Sequence, residues 1–202
     1  MNYRTKQEKF WSGEFGTEYT SRNNGKDLII SNLALFSKIL NAAPNIKSIV
    51  ELGCNRGMNL QVLKKIKDFE LSGYEINQFA ADEAKKLNIA DIIVNSILDI
   101  KTDKKYDLVF TKGVLIHIDP KDLEQVYEKI YNISNSYILV CEYYSRSPEP
   151  LRYRGHEGVL FKSDFAGQLI DKFNLRLIDY GFVYHRDNYF PQDDLTWFLL
   201  QK

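Results

Sequence analysis

Cysteine, proline and long hydrophobic runs are scarce in this chain, and each scarcity excludes a class of protein. Cys54 and Cys141 are the 2 cysteines, and because they are far apart with no C-x-x-C spacing they suggest neither a disulfide framework nor a thiolate metal site. The 5 prolines fall between patterned segments. The longest apolar stretch, residues 28–36, is far shorter than the roughly 18 residues of a membrane span, and the polar start lacks a signal peptide's apolar core. We therefore expect a reducing, cytoplasmic setting and no membrane anchor.

An excess of charge of one sign is also missing. Lysine and arginine number 27, as do aspartate and glutamate, and the pI is about 6.8. A zero net charge argues against a nucleic-acid binder that depends on a strong positive field. The hydrophobic share of 44% and the charged share of 27% are typical of folded soluble domains. At about 150 residues per domain, the length of 202 residues predicts a single domain, residues 1–202.

Short apolar runs alternate along the chain with segments of helical period, which is typical of βα units around a parallel sheet. Strands are predicted at residues 48–52, 71–76, 92–96, 106–111, 137–143, 175–183 and 196–201. Helices are predicted at residues 28–40, 59–66, 78–87, 120–133 and 163–173. We therefore expect an α/β fold with a doubly wound, mostly parallel seven-stranded sheet and helices on both faces.

The run S-I-V-E-L-G-C-N-R-G-M-N-L, residues 48–60, predicts a buried strand that turns sharply into a helix. Gly53 and Gly57 allow the backbone to approach a ligand at the carboxyl end of that strand. Glu75 follows Gly53 by 22 residues, at the end of the second predicted strand, where an acid can hydrogen-bond both ribose hydroxyls. Loop and acid together predict an adenosine-type ligand. The alternative is a plain strand-to-helix turn.

The loop spacing separates two cofactor classes. The dinucleotide pattern G-x-G-x-x-G is absent, and the chain has E-x-G-x-x-x-G from Glu51 to Gly57. An acid two residues before the first glycine is the pattern of class I S-adenosylmethionine-dependent methyltransferases, which the chain resembles. Asn55 stands where a middle glycine commonly lies, and asparagine tolerates a positive φ. The resemblance implies S-adenosylmethionine as cofactor and S-adenosylhomocysteine as product.

The resemblance also implies where the rest of the cofactor lies. Ser96 and Ile97 follow the third predicted strand, in the segment that packs on the adenine in these enzymes, usually with an acid where Ser96 stands. Residues 111–113 end the fourth strand and are expected to line the methionine part. The expected cofactor-binding residues are Trp11, Tyr19, Arg22, Glu51, Gly53, Cys54, Asn55, Gly57, Asn59, Glu75, Ile76, Ser96, Ile97, Thr111, Lys112 and Gly113.

Residues 1–41 are predicted to form an N-terminal helical lid. Trp11 and Tyr19 belong to a segment richer in aromatic residues than a disordered tail. Tyr19 can meet the cationic centre of the cofactor, and Arg22 can meet its carboxylate. The alternative is an N-terminal helix that simply packs on the core.

Several strings outside the cofactor loop carry a closer resemblance. They include E-K-F-W-S-G-E-F-G-T-E-Y-T-S-R-N, K-G-V-L-I-H-I, C-E-Y-Y, Y-R-G-H-E and D-D-L-T-W-F-L-L. Over nearly its whole length the chain resembles the pseudaminic acid biosynthesis-associated methylases. The resemblance implies methyl transfer to a hydroxyl or amine of a small sugar or nucleotide sugar in nonulosonic acid surface-glycan synthesis. The alternatives are a methyltransferase of peptides, proteins or RNA, and a catalytically silent cofactor-binding partner protein.

His117 is the expected catalytic base, because it lies six residues beyond Thr111 and imidazole can take the proton of a hydroxyl acceptor at neutral pH. A structural histidine that caps a backbone group is the alternative. Tyr144, near the end of the fifth strand, is the second expected catalytic residue. Cys54 has no nearby base and is not expected to be a nucleophile. The 3 histidines lack metal-ligand spacing, so no metal is expected.

Residues 145–162 are predicted to form a connecting segment on the acceptor side. Arg152 and Arg154 flank Tyr153, and their planar guanidinium groups can clamp a carboxylate or phosphate while the ring covers a sugar. This favours an anionic sugar as the acceptor. The alternative is a solvated loop with an internal Arg–Glu pair. The expected substrate-binding residues are Glu142, Tyr143, Arg152, Tyr153, Arg154 and His156.

Overall fold

The computed structural model describes residues 3–22 and 27–202. Its strands are β1 (Ser48–Leu52), β2 (Glu70–Glu75), β3 (Asp91–Val94), β4 (Tyr106–Lys112), β5 (Ser134–Glu142), β6 (Glu149–Tyr153), β7 (His156–Lys162), β8 (Arg176–Val183) and β9 (Leu195–Gln201). Its α-helices are α1 (Lys6–Ser12), α2 (Glu14–Arg22), α3 (Asp27–Asn41), α4 (Met58–Ile66), α5 (Gln78–Lys86), α6 (Leu123–Ile133) and α7 (Phe165–Phe173). Short 3-10 turns lie at Ile97–Asp99, Leu115–His117 and Pro120–Asp122.

Seven strands form the central sheet in the order β3-β2-β1-β4-β5-β9-β8. Strands β1 to β5 run parallel to one another, and β9 runs antiparallel to both β5 and β8. The order reverses at β1, because β2 lies on one side of it and β4 on the other. Open α/β sheets bind ligands at such a reversal, beyond the carboxyl ends of the strands.

Helices cover both faces of this sheet, as the sequence predicts. Ile49 of β1 packs in the layer of α3, α4 and α5 with Phe36, whereas its neighbour Val50 packs in the layer of α6 and α7 with Val126. Successive side chains of a strand point to opposite faces, so two adjacent apolar residues fill two separate cores. The near-continuous apolar runs of the sequence are therefore strands that are buried on both faces.

The seven predicted strands are the seven strands of the sheet, with bounds that differ by a few residues at most. The predicted helix over residues 120–133 begins as a 3-10 turn. Asp119 accepts a hydrogen bond from the Lys121 amide, and α6 follows from Leu123. The N-terminal segment forms two helices rather than one, with Gly13 between them.

The main departure from the sequence prediction is in residues 145–162, where the structure has the antiparallel hairpin β6–β7. Tyr153 pairs with His156 across a turn whose central residues, Arg154 and Gly155, have φ of 47° and 88°. A type I′ hairpin turn requires positive φ at both central positions, which glycine adopts freely and arginine rarely does. Because arginine is unusual at such a position, the sequence did not indicate this turn.

No helix within the described ranges has both the length and the apolar composition needed to cross a bilayer.

Candidate active site

A cavity of about 420 Å³ opens at the carboxyl ends of β1, β2 and β4. Its volume lies within the usual range of small-molecule sites, roughly 300–1,000 Å³. The N-terminal helices contribute Trp11 and Tyr19 to its wall, and the hairpin contributes Tyr153. The predicted site residues that line it are Trp11, Tyr19, Glu51, Gly53, Cys54, Asn55, Asn59, Glu75, Ile76, Ser96, Ile97, Lys112, Gly113, His117, Tyr143 and Tyr153.

The loop after β1 has the left-handed conformation that its sequence predicts. The φ angles are 79° at Gly53, 47° at Asn55 and 76° at Gly57. A Cβ on Gly53 would lie 2.6 Å from Cγ2 of Val114, so a side chain here would also collide with the turn after β4. The asparagine therefore takes the conformation of the middle glycine, and the loop backbone stays close to the cavity.

Glu75 at the end of β2 joins this loop to the start of α5. Its Oε2 accepts a hydrogen bond from the Asn55 amide at 2.7 Å, and its Oε1 accepts one from the Asn77 amide at 2.8 Å. The side chain is buried in the cavity wall, and burial raises its pKa although these amides oppose the shift. Each carboxylate oxygen has two lone pairs, so both can still accept from a ligand.

Glu51 is a buried carboxyl with one unused oxygen. Its Oε1 accepts from Nδ2 of Asn59 at 2.5 Å, while its Oε2 has no hydrogen-bond partner among the described residues. Burial, with a smaller effect from Glu75, raises the pKa of Glu51 to about 8, against the effects of Asn59 and Lys112. The carboxyl is therefore protonated at neutral pH until a cationic ligand favours its ionised form.

The segment after β3 forms one end of the cavity. Ser96 begins the 3-10 turn Ile97–Asp99, and its Oγ accepts a hydrogen bond from the Leu98 amide at 3.2 Å. Ile97 and Leu98 are both buried and line the cavity. This end therefore offers apolar surface and backbone groups to a flat ring.

His117 lies in the turn Leu115–His117 and lines the cavity. Its Nδ1 is 2.8 Å from the carbonyl oxygen of Val159 on β7. Because a carbonyl only accepts, Nδ1 carries the proton and Nε2 keeps its lone pair. Burial lowers the pKa of His117 to about 4, against the opposing effect of this hydrogen bond. The ring lies 4.4 Å from that of Trp11 and 5.4 Å from that of Tyr153, measured between centroids.

Glu142, expected to bind substrate, serves the backbone instead. Its carboxylate accepts from the amides of Val114, at 2.9 Å, and Leu115, at 3.1 Å. The side chain is 2% exposed and lies outside the cavity wall, and burial raises its pKa to about 7. It holds the turn that carries His117 rather than a ligand.

Tyr144, expected to be catalytic, points away from the cavity. Its side chain is 44% exposed, and its ring lies 5.9 Å from that of Phe198. Neighbouring residues of an extended segment face opposite sides, so Tyr143 enters the cavity and Tyr144 does not. The geometry gives Tyr144 no place at the reacting atoms.

The predicted arginine clamp also lies outside the cavity. Arg152 and Arg154 are exposed, and the Arg154 guanidinium covers the Tyr153 ring at 5.8 Å. His156 is exposed on the hairpin and packs against Phe10, with ring centroids 5.0 Å apart. Side chains alternate along the hairpin, so only Tyr153 of this group turns inward.

Two expected cofactor residues do not line the cavity, and the side chain of a third, Arg22, cannot be placed. Gly57 begins α4 and faces Leu87 and Ala84 of the α5 region. Thr111 is 1% exposed, beside Glu142. The side chain of Arg22 lies outside the part of the chain that the structure describes.

Several cavity residues escaped the sequence analysis. Asn77 follows Glu75 closely and caps the start of α5, so its position in the sequence could have indicated that it belongs to the site. Its Nδ2 donates to the carbonyls of Trp11, at 3.1 Å, and Gly13, at 3.3 Å, which fastens the N-terminal helices to the sheet. No local signal marks the others. They include Gln7, Glu8, Thr20, Asn32, Asp122, Gln192 and Asp193.

Cys54 lines the cavity, but burial raises the pKa of its thiol well above the usual value. A thiol held in its protonated form is a poor nucleophile, in keeping with the expectation that Cys54 is not one. Among residues 3–22 and 27–202, no group of three or more His, Cys, Asp or Glu side chains could hold a metal ion.

Comparisons with known proteins agree with this geometry. Residues 49–136 match the model of a family described as "Methyltransferase domain". Magnesium protoporphyrin IX methyltransferase of Synechocystis PCC 6803, solved with bound SAM, covers 100% of both chains at 13% identity and a TM-score of 0.69. An S-adenosylmethionine-dependent methyltransferase of Clostridium acetobutylicum ATCC 824 covers 93% of this chain and 97% of its own, at 12% identity and a TM-score of 0.65.

A third solved structure is the 1,6-didemethyltoxoflavin-N1-methyltransferase of Burkholderia thailandensis, with bound 1,6-didemethyltoxoflavin and S-adenosylhomocysteine. It covers 93% of this chain and 84% of its own, at 10% identity and a TM-score of 0.69. A search of curated proteins finds no sequence that matches this chain. The chain therefore has the fold of class I S-adenosylmethionine-dependent methyltransferases, and its residues 49–136 are similar to a methyltransferase domain.

Proposed function

We propose that this protein transfers a methyl group from S-adenosylmethionine to a hydroxyl or amine of a small molecule. The observation that carries the proposal is the buried carboxylate of Glu75 beside the left-handed loop at residues 53–57, where the strand order reverses. A carboxylate at this position can hold both hydroxyls of a ribose. When bound, S-adenosylmethionine supplies a methyl group activated by its sulfonium.

The unused polar groups of the cavity fit this cofactor. Glu51 has one oxygen without a partner in the described residues, which suits the ammonium of the methionine part. Lys112 and Gly113 lie near that end. Ile76 and Ile97 offer apolar surface to the adenine at the other end. Donors and acceptors of the ligand thus find complementary groups along the cavity.

His117 is suited to take the proton of a hydroxyl acceptor. Its Nδ1 proton is held by the carbonyl of Val159, so Nε2 is the accepting nitrogen. Its pKa of about 4 keeps that nitrogen unprotonated at neutral pH. The rings of Trp11 and Tyr153 beside it exclude water, which helps to hold acceptor and methyl donor in line.

The acceptor we propose is a sugar that offers hydroxyl or amine donors, in keeping with the resemblance to the pseudaminic acid biosynthesis-associated methylases. Asn32 and Gln192 line the cavity, and each has a buried side-chain oxygen without a partner in the described residues. Asp193 lies beside them and accepts a hydrogen bond from Tyr143. These groups favour a donor-rich acceptor. The anionic clamp finds no support, because both of its arginines lie outside the cavity.

Removing the carboxylate of Glu75, the group proposed to bind the ribose hydroxyls, should weaken cofactor binding. We expect Glu75→Ala to reduce affinity for S-adenosylhomocysteine by about 1–3 kcal/mol, the range for a hydrogen bond to a charged group. Titration calorimetry measures it, with circular dichroism to check the fold. Glu70→Ala, at the exposed start of the same strand, is the matched control. Equal affinity of Glu75→Ala and wild type contradicts the proposed site.

Cofactor affinity should rise with pH because of Glu51. In the free protein this carboxyl has a pKa of about 8, and binding an ammonium requires its ionised form, so binding releases a proton below that pH. We expect affinity for S-adenosylhomocysteine to increase between pH 6 and 8 by up to about tenfold per unit. Calorimetry in buffers of different ionisation enthalpy measures the released proton. If the affinity of Glu51→Gln rises with pH as steeply as that of wild type, another group causes the pH dependence.

His117 should remain neutral across the physiological range. Nitrogen-detected NMR of the labelled protein is expected to show Nδ1 protonated at pH 7, with no titration of this ring until about pH 4. Exposure of the ring to solvent would instead bring the midpoint towards about 6.5, whereas loss of the Val159 hydrogen bond alone would lower it further. His117→Gln is the variant that identifies the resonance. A midpoint near 6.5 in wild type contradicts the buried base.

The acceptor class can be tested by release of S-adenosylhomocysteine. We expect turnover with amino or acetamido sugars, free or nucleotide-linked, and at least about tenfold lower kcat/KM after Asp193→Asn, because a charge-assisted hydrogen bond is lost. Asp103→Asn, on an exposed loop, is the control. Turnover with peptides or RNA and none with sugars favours the alternative methyltransferase. No turnover despite tight cofactor binding favours a silent partner protein.

A further inference from the structure

One carboxylate at the adenine end of the cavity comes from outside the sheet. Glu8 lies in α1, 6% exposed, and lines the cavity together with Ser96. Its Oε2 accepts from the amides of Arg4 and Thr5, both at 2.8 Å, and the Thr5 hydroxyl accepts in return from the Glu8 amide. This reciprocal capping box fixes the orientation of the carboxylate.

The other oxygen of Glu8 is available to a ligand. Oε1 is buried and has no hydrogen bond of full geometry within residues 3–22 and 27–202, although the Ser96 hydroxyl lies beside the carboxylate. Burial favours the neutral acid, but the nearby Ser96 hydroxyl and the hydrogen bonds from Thr5 and Arg4 outweigh it and lower the pKa of Glu8. Glu8 is therefore an ionised acceptor at neutral pH.

Neighbouring polar groups of the segment after β3 are already engaged. Ser96 Oγ accepts from the Leu98 amide, and Asn95 Oδ1 accepts from the Ser96 amide. Nδ2 of Asn95 donates to the Asp99 carbonyl. Asp122 contributes a second buried carboxylate oxygen without a partner in the described chain, so it must be separated from Glu8 experimentally.

We propose that Glu8 of the N-terminal helix selects adenine by accepting a hydrogen bond from its exocyclic amine. The inference rests on the proposed function, since it requires an adenosine cofactor with its base between Glu8 and Ile97. The discriminating acceptor then comes from a helix that precedes the sheet rather than from the segment after β3. An amine donor fits this oxygen, whereas the 6-oxo group of hypoxanthine brings a second acceptor against it.

This arrangement couples base recognition to the acceptor end. Lys6 and Gln7 of α1 donate to the carbonyls of Glu157 and Gly158 on the hairpin, at 3.0 and 2.9 Å. The same helix carries Trp11, whose ring lies against His117. When the adenine base binds Glu8, it therefore stabilises the position of α1, the helix whose Trp11 lines the cavity beside His117.

The capping box makes a sharp test possible. In Glu8→Gln the amides of Arg4 and Thr5 still require an oxygen at the Oε2 position, so the amide nitrogen takes the place of Oε1 and turns an acceptor into a donor. We expect Glu8→Gln to weaken S-adenosylhomocysteine by at least about tenfold and to strengthen S-inosylhomocysteine. Titration calorimetry with each ligand measures both changes in affinity. Glu14→Gln, on the exposed side of α2, is the matched control and should change neither affinity.

The outcomes separate this inference from the proposed function. If wild type binds neither ligand, the proposed function fails and the inference fails with it. If wild type binds S-adenosylhomocysteine and Glu8→Gln changes both ligands by the same factor, Glu8 only caps its helix and the inference alone is overturned. An exchange of preference in Asp122→Asn, and not in Glu8→Gln, also overturns it.

Discussion

The bond pattern around Glu75 is the constraint on which the cavity depends. One buried carboxylate receives the Asn55 amide from the loop after β1 and the Asn77 amide from the start of α5. Asn77 in turn holds the carbonyls of Trp11 and Gly13. The cofactor loop, a helix start and the N-terminal helices thus meet at one side chain. Unpaired amides in a buried wall are costly, so this carboxylate stabilises the opening into which a ligand fits.

Glu142 holds the backbone around His117, much as Glu75 holds the loop after β1. Its carboxylate receives the amides of Val114 and Leu115 and so fixes the turn that ends in His117. The carbonyl of Val159 then orients the imidazole from the other side. An imidazole that is held by backbone groups on two elements needs little reorganisation to accept a proton, as the proposed reaction requires. The strand ends and the turns that follow them therefore hold this side of the cavity rigidly.

The fold could be predicted because its strands are buried on both faces and stand out as apolar runs between helical periods. The cavity wall at the ends of β1 and β2 could be predicted from Glu51, Gly53 and Glu75, since their spacing reflects two neighbouring parallel strands. The acceptor wall could not. Glu142 was misassigned because sequence alone does not show which of two neighbouring residues faces the cavity, and burial turned this one towards the backbone. Gln192 reaches the cavity through the β8–β9 connection, which leaves no local pattern.

The placement of the N-terminal helices joins the two halves of the site. They contact the part of the cavity around Ser96 through Glu8, the sheet through Asn77 and the ring of His117 through Trp11. A deletion or displacement of this segment is therefore expected to affect both cofactor affinity and the shelter of the reacting atoms, because the same rigid pieces serve both. In an in-line methyl transfer the enzyme contributes mainly by alignment and by exclusion of water.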